Sequence, residues 1–508
     1  MSSDPIVDTA PGILAEPAGA LNPAALELES ITRRLLRGSG VYALTSFSIK
    51  AFNFLLLALY SRFLRPADYG IVVLAEVAAM LTSTVTGLGL NAAVVRLYFQ
   101  HASDSSRQQR YVSTLLRFSV AAITTGLAAA FIAGALAPSF FRERVKVEFF
   151  PYLALALGAA AATQIAEFRF ALYQAEQRPQ KFGWLSLFSF VLATAGVVGF
   201  VVIGRMGAVG LLWGKLAGAS CTAVIAIWLL RCWWNAGWES HHVRESLRFG
   251  LPLVPHQILA LGLVAADRFI LSHYRDLNEV GIYSIAYTLG MVMYMFTAAI
   301  ALAWGPMFYE LANQGDSGRR AISEAARNLM TLLALIAGAG ILIAQPFASW
   351  FLDSRYRSAG RLVPWIIASY LLHAFSSLFQ IQLLQAKRTA SLAWVTGFAL
   401  VLNVALNVAW IPTWGMYGAA YATLVAYAIQ MLLIYFLAQR AFPLTYGALN
   451  IVKWPLMVAC LLAMSQMQIA SDLRLMLPLR LALLGLVALV AAHFWKRSQA
   501  LRKAIEIV

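Results

Sequence analysis

Seven ionisable residues lie within long apolar stretches of the chain: Lys50, Glu76, Glu167, Arg169, Lys215, Asp267 and Arg268. A charge at mid-bilayer costs at least about 2.5 kcal/mol on insertion scales, so such residues pair with one another or face a bundle interior or a watery cavity. Cations in a chamber can hold an anionic group. A carboxylate in a low-dielectric chamber can take up and release a proton. This is the chemistry of moving a charged solute, not of making bonds. No spacing of His, Cys, Asp or Glu reads as a metal motif, no nucleophile constellation is present, and no cofactor is expected.

The spans set the depth of each charge. At ~1.5 Å of rise per residue, Lys50 lies about 14 Å from the entry end of the first span. Glu76 and Lys215 lie about 9 to 10 Å from the far ends of the second and sixth spans. The three can line one chamber; the alternative is a Lys50–Glu76 ion pair that pins two helices. Glu167 and Arg169 are two residues apart on one helix and need different partners. Thr163 and Gln164 share the Glu167 face and point Glu167 inward, while Arg169 also reads as an anchor at the lipid interface. Asp267 and Arg268, with Arg62, sit near the outer ends of the seventh and first spans, where capping, pairing and headgroup anchoring are the usual roles. GLLWGKL, at 210–216, has too few residues between its glycines for a phosphate loop and lacks the Ser or Thr after the lysine. Gly210, Gly214 and Gly218 form instead a small-residue ladder that lets a helix pack beside Lys215.

The elements that position these groups are membrane spans. Of 508 residues, 60% are apolar and 12% charged, and mean hydropathy is +0.71. Windows of about 20 apolar residues recur along the chain and give an all-α integral membrane protein with about 14 transmembrane helices, the first near 41–61 and the last near 476–495. The net charge of +16 reports topology, and nucleic acid is not an expected partner. The termini and the loops on their side carry about twice the Lys and Arg of the opposite loops, which places both termini in the cytoplasm. Residues 1–38 read as a disordered tail, because the first 30 hold acidic but no basic side chains together with Pro5, Pro11, Pro17 and Pro23. Cys221, Cys232 and Cys460 have no metal-like spacing and are expected to pack.

The chain repeats itself. LYSRFLRPADYGIVVLAE from Leu59 matches AADRFILSHYRDLNEVGIYSIAY from Ala265, with Arg62 over Arg268 and Gly70 over Gly281. LYQAEQRPQKFGW at Leu172 matches LLQAKRTASLAW at Leu383, and MGAVG at Met206 matches GMYG at Gly415. The same alignment sets His256 opposite Lys50. Six spans per copy make the copies parallel repeats: a first lobe at 39–231, a cytoplasmic linker at 232–250 and a second lobe at 251–440. Two further helices fill 441–496, and 497–508 form a cytoplasmic tail.

LYSRFLRPADYGIVVLAE followed by GLGLNAAVVR, then LRFGLPLVPHQI, ADRFIL and EVGIYSIAY, resembles the Wzx-like polysaccharide-biosynthesis flippases. These belong to the multidrug/oligosaccharidyl-lipid/polysaccharide exporter (MOP) superfamily. The likeness covers roughly 40–440. It implies two V-shaped lobes, a bacterial inner-membrane location and export of an undecaprenyl-pyrophosphate-linked glycan for O-antigen, capsule or exopolysaccharide, with membrane lipids and glycan polymerases as further partners. It also implies a cationic central cavity, for which Lys50, Arg169, Lys215 and Arg268 are the candidate contacts. Glu76, Glu167 and Asp267 are the candidate proton-coupling groups. The alternative from the same superfamily is an ion-coupled multidrug exporter, whose cationic substrates suit a cationic chamber poorly.

Overall fold

The computed structural model describes residues 23–101, 104–446, 448–466 and Gly485. These residues are helical throughout, in the order α1 (Pro23–Phe63), α2 (Pro66–Gly87), α3 (Leu90–Leu97), α4 (Ser105–Leu136), the single turn α5 (Pro138–Phe140), α6 (Ala154–Ala175), α7 (Pro179–Val197) and α8 (Gly207–Leu230). After the linker helix α9 (Ser240–Gly250) come α10 (Leu253–Tyr274), α11 (Leu277–Gly290), α12 (Val292–Ala312), α13 (Gly315–Phe351), α14 (Ala359–Gln385), α15 (Thr389–Ala441) and α16 (Ala448–Gln466). Residues 23–38, assigned to a disordered tail, belong to the 41-residue α1, and the linker contains a helix.

Eleven helical stretches are long and apolar enough to cross a membrane. One of them, α15, has 53 residues, about 80 Å of helix against a hydrocarbon core of about 30 Å. It is two spans broken at Gly415, whose φ of 55° and ψ of −134° are non-helical. The first lobe therefore has six crossings and the second six, with α11 and α12 forming one crossing bent at Met291. The thirteenth expected span corresponds to α16, and the fourteenth lies outside the described residues.

The repeat is visible in local geometry. Gly207, which opens α8, and Gly415 occupy matched positions and have φ of 58° and 55°, a region that favours glycine. Three residues on, a Cβ on Gly210 would meet the Phe200 carbonyl oxygen at 2.8 Å, and one on Gly418 the Trp410 carbonyl oxygen at 2.6 Å. Both lobes thus make the same tight turn before their sixth span.

The second lobe and the linker each close on the first lobe, at two opposite faces. On the face carrying the 64–65 turn, α2 packs against α11 with Gly70 and Gly281 in backbone contact. The loop after α13 clamps the end of α1 there. Arg355 donates to the Ser61 and Arg62 carbonyl oxygens at 3.2 and 2.9 Å, the Asp353 N–H donates to Ser61 Oγ at 3.1 Å, and the Tyr356 hydroxyl donates to the Leu64 carbonyl oxygen at 3.2 Å. On the opposite face, Gly89 meets Gly250 closely enough that a Cβ on Gly89 would lie 2.8 Å from the Gly250 Cα. An apolar core continuous through both lobes, from Leu57 and Val72 to Phe375 and Phe379, backs the first contact.

Candidate functional site

Between the two closures lies a cavity of about 890 Å³, walled mostly by the first lobe (α1, α2, α3, α6, α7 and α8) and completed by Gln257 and Leu261 of α10. Its shape follows from glycine. A Cβ on Gly218 would stand 2.6 Å from the Ala193 nitrogen and one on Gly214 2.7 Å from the Gly196 carbonyl carbon, so the expected small-residue ladder seats α7 directly on α8. That contact holds Lys215 in the wall.

The charged side chains of the wall, among the described residues, are Glu76, Glu167 and Lys215. Lys215 Nζ donates to Glu76 Oε1, joining α8 to α2. About a third of each side chain remains open to the cavity, 37% for Lys215 and 34% for Glu76. Glu167 faces the cavity with one amide contact, from Asn91 Nδ2 at 3.4 Å. The polar stripe expected on α6 is present: Thr163, Gln164 and Glu167 all line the wall. Gln164 is held by donating to the Ser83 carbonyl oxygen at 2.6 Å and accepting from Thr86 Oγ1 at 3.1 Å. Asn53, Asn91, Ser186, Ser189 and Gln257 complete a neutral hydrogen-bonding surface; single polar residues in apolar helices gave no sequence signal of which face they take.

The remaining candidates are placed elsewhere. Lys50 is exposed and does not line the cavity, although it is one residue from the wall residue Ile49 and three from Asn53. Glu76 pairs with Lys215, so the alternative Lys50–Glu76 pin does not form. His256 likewise adjoins the wall residue Gln257 without lining the cavity. Arg169 is a correction: it is buried on the other side of α6, bonded to Glu176 at 3.1 Å and stacked 3.8 Å over the Tyr173 ring. Arg268 and Asp267 are also absent from the wall. They pair at 2.7 Å inside the second lobe, where Arg268 stacks 3.9 Å over Tyr287 and the Tyr283 hydroxyl donates to Asp267. Tyr370 extends this network by donating to the Tyr287 hydroxyl at 3.0 Å. The wall of this conformation thus carries two carboxylates and one ammonium, against the expected cationic lining. The cysteines are exposed rather than packed, as an apolar thiol can be on a surface that faces lipid.

Among the described residues, two six-span lobes enclose a polar chamber, the architecture of a multi-pass membrane protein. The polysaccharide biosynthesis protein family matches residues 35–312, more than half of the chain, and the chain belongs to it. The MatE family matches residues 252–409 in the second lobe. Solved structures share the fold at low identity. The lipid II flippase MurJ, in an inward closed conformation, superposes with a TM-score of 0.70 at 14% identity, covering 89% of this chain and 99% of that one. An inward-facing multidrug resistance MATE family transporter gives 0.59 at 15%, covering 82% and 98%. A MOP superfamily transporter from Pyrococcus furiosus gives 0.51 at 15%, covering 80% and 93%. No curated protein sequence matches the chain.

Proposed function

We propose that this transporter flips an undecaprenyl-pyrophosphate-linked oligosaccharide from the cytoplasmic to the periplasmic leaflet of a bacterial inner membrane by alternating access. The reading rests above all on the cavity wall, where neutral hydroxyl and amide side chains surround the Lys215 ammonium and its Glu76 partner, with Lys50 next in sequence to the wall residue Ile49. Sugar hydroxyls find donors and acceptors on that surface, and the two lysines are cations suited to a pyrophosphate. Membership of the polysaccharide biosynthesis family supports the same substrate class.

On the expected topology, the Gly70–Gly281 closure is periplasmic and the Gly89–Gly250 closure cytoplasmic. The inner half of α1 is thinly covered, with Leu44, Phe47, Phe52 and Leu55 all more than half exposed, and a polyprenyl tail can stay in lipid beside it while the head group occupies the cavity. The pyrophosphate displaces Glu76 from Lys215 as it loads, and re-formation of the ion pair after outward opening expels the anion. Glu76 then takes a proton from the periplasmic side and releases it to the cytoplasm as the empty carrier returns, so the proton moves opposite to the glycolipid. In that cycle Glu76 couples, Lys215 binds and Glu167 repels free anions that lack a glycan.

A second reading has one observation in its favour: Glu167, a cavity carboxylate with a single long amide contact, suits a cationic drug. Binding of both ligand classes to purified protein, followed by tryptophan fluorescence, separates the readings. The glycolipid should bind and be weakened by Lys215→Gln. Saturable binding of a lipophilic cation, lost in Glu167→Gln, without glycolipid binding would replace the proposal with the drug-exporter reading.

A further inference from the structure

The linker between the lobes carries a cluster outside the transport cavity. Glu239 precedes α9, and His241 and His242 occupy its first turn. His241 Nδ1 lies 3.5 Å and His242 Nε2 3.2 Å from the same oxygen, Glu239 Oε2, and the three donor atoms lie within 4.8 Å of one another. The Glu239 carboxylate makes no capping bond to the helix, so Oε2 is directed at the imidazoles. Its other oxygen, Oε1, is held by Arg110 of α4 at 3.1 Å.

We infer that Glu239, His241 and His242 form a binding site for a borderline divalent transition-metal ion of the Zn²⁺ class. Two imidazoles and one carboxylate are a donor set suited to such an ion, with bonds of about 2.0 to 2.2 Å. Two donors bound to one tetrahedral ion at those lengths stand about 3.3 Å apart, close to both Glu239–His separations. The remaining His241–His242 edge closes by rotation of His241, whose side chain is 55% exposed. Exposure on that side also gives an ion its entry path and leaves a coordination position for water.

The supporting frame is ordered before an ion arrives. The Glu239 N–H donates to Thr114 Oγ1 at 3.0 Å, and the Trp234 carbonyl oxygen accepts from Ser113 Oγ at 3.0 Å. The buried His242 ring stands edge-on to Tyr111 at 5.3 Å. Because α9 runs from this cluster to Gly250, which abuts Gly89, a bound ion would fasten the linker to the first lobe beside one of the two closures. Glu-Ser-His-His is too short a run to read as a metal motif, and the fold supplies the convergence.

The test uses full-length, tag-free protein stripped with chelator and titrated with Zn²⁺ alone by calorimetry, with Co²⁺ absorption reporting ligand type. One ion per chain is expected, its affinity falling roughly ten-fold or more in both His241→Ala and Glu239→Gln. These two positions are partly exposed, and each variant's folding is checked by its elution volume and circular dichroism. Absence of binding to the unaltered chain, or affinity unchanged in both folded variants, overturns the site. Transport of glycolipid does not enter either outcome.

Discussion

Gly70 and Gly281, placed over one another by the internal repeat, touch each other in the folded chain. A Cβ on Gly70 would stand 3.2 Å from the Gly281 nitrogen, and one on Gly281 3.1 Å from the Gly70 nitrogen, with the Leu277 and Pro66 carbonyl oxygens closer still. Repeat-equivalent residues meet only on the axis relating the lobes, so this contact marks that axis at one face. Neither backbone can yield without moving a whole helix, which makes the contact a closure that either forms fully or opens.

Gly281→Ala should therefore favour the state in which this face is open. Overpacking of about 1 to 3 kcal/mol against backbone is enough to shift a two-state carrier by roughly ten-fold or more. In a background with Cys221, Cys232 and Cys460 replaced, a cysteine at Asn53 should label faster with a membrane-impermeant reagent from the 64–65 face in the alanine variant. Unchanged labelling would mean that the helices absorb the methyl group without opening.

The Glu76–Lys215 pair should separate structure from transport. Lys215→Gln should cost about 1 to 2 kcal/mol of stability, less than a fully buried pair because about a third of each side chain is open to the cavity. Exchanging the two residues, Glu76→Lys with Lys215→Glu, should recover melting temperature but not transport, since the releasable cation then stands on the wrong helix. Recovery of both would reduce the pair to a helix pin.

Arg169→Met should lower stability by about 3 kcal/mol, because it leaves the buried Glu176 with only its Arg178 contact at 3.4 Å and removes the stack on Tyr173. Affinity for the glycolipid, measured on the folded fraction, should not change. A selective loss of affinity would return Arg169 to the binding site.

The 353–356 clamp should be acid-sensitive. Side-chain and backbone hydrogen bonds from Arg355 hold the Asp353 carboxyl below its ordinary value. A depressed pKa contributes stability that is fully present above the unfolded value, about 3.9, and is lost as pH falls through the folded value. The melting-temperature gap between the unaltered chain and Asp353→Asn should be constant above about pH 5 and shrink below about pH 4. A gap that widens on acidification would contradict the assignment.

The apolar spans were legible because each is an average over many residues. Hydropathy identifies a span without knowing its neighbours, and the Gly207 and Gly415 turns follow from two matched glycines. Partners were not legible, since the Glu76–Lys215 bond depends on how α2 packs near α8. Distance along the spans sets Lys215 level with Glu76 and Lys50 only a few ångströms deeper, so depth alone does not exclude either partner. Arg169 is the instructive case: Tyr173 and Glu176 lie four and seven residues further along the same helical face, a local pattern sufficient to point it away from the cavity. The cavity's neutral side chains carry no charge to be explained inside lipid, and only the three-dimensional wall collects them.

The most direct test of the account is transbilayer movement of undecaprenyl-pyrophosphate-linked oligosaccharide in proteoliposomes, scored by how much glycan becomes accessible to an enzyme on the far side. The account predicts movement by the unaltered protein, accelerated by an inward-directed proton gradient, and loss of that movement in folded Lys215→Gln. Failure of the folded, unaltered protein to move the glycolipid under any imposed gradient would contradict it.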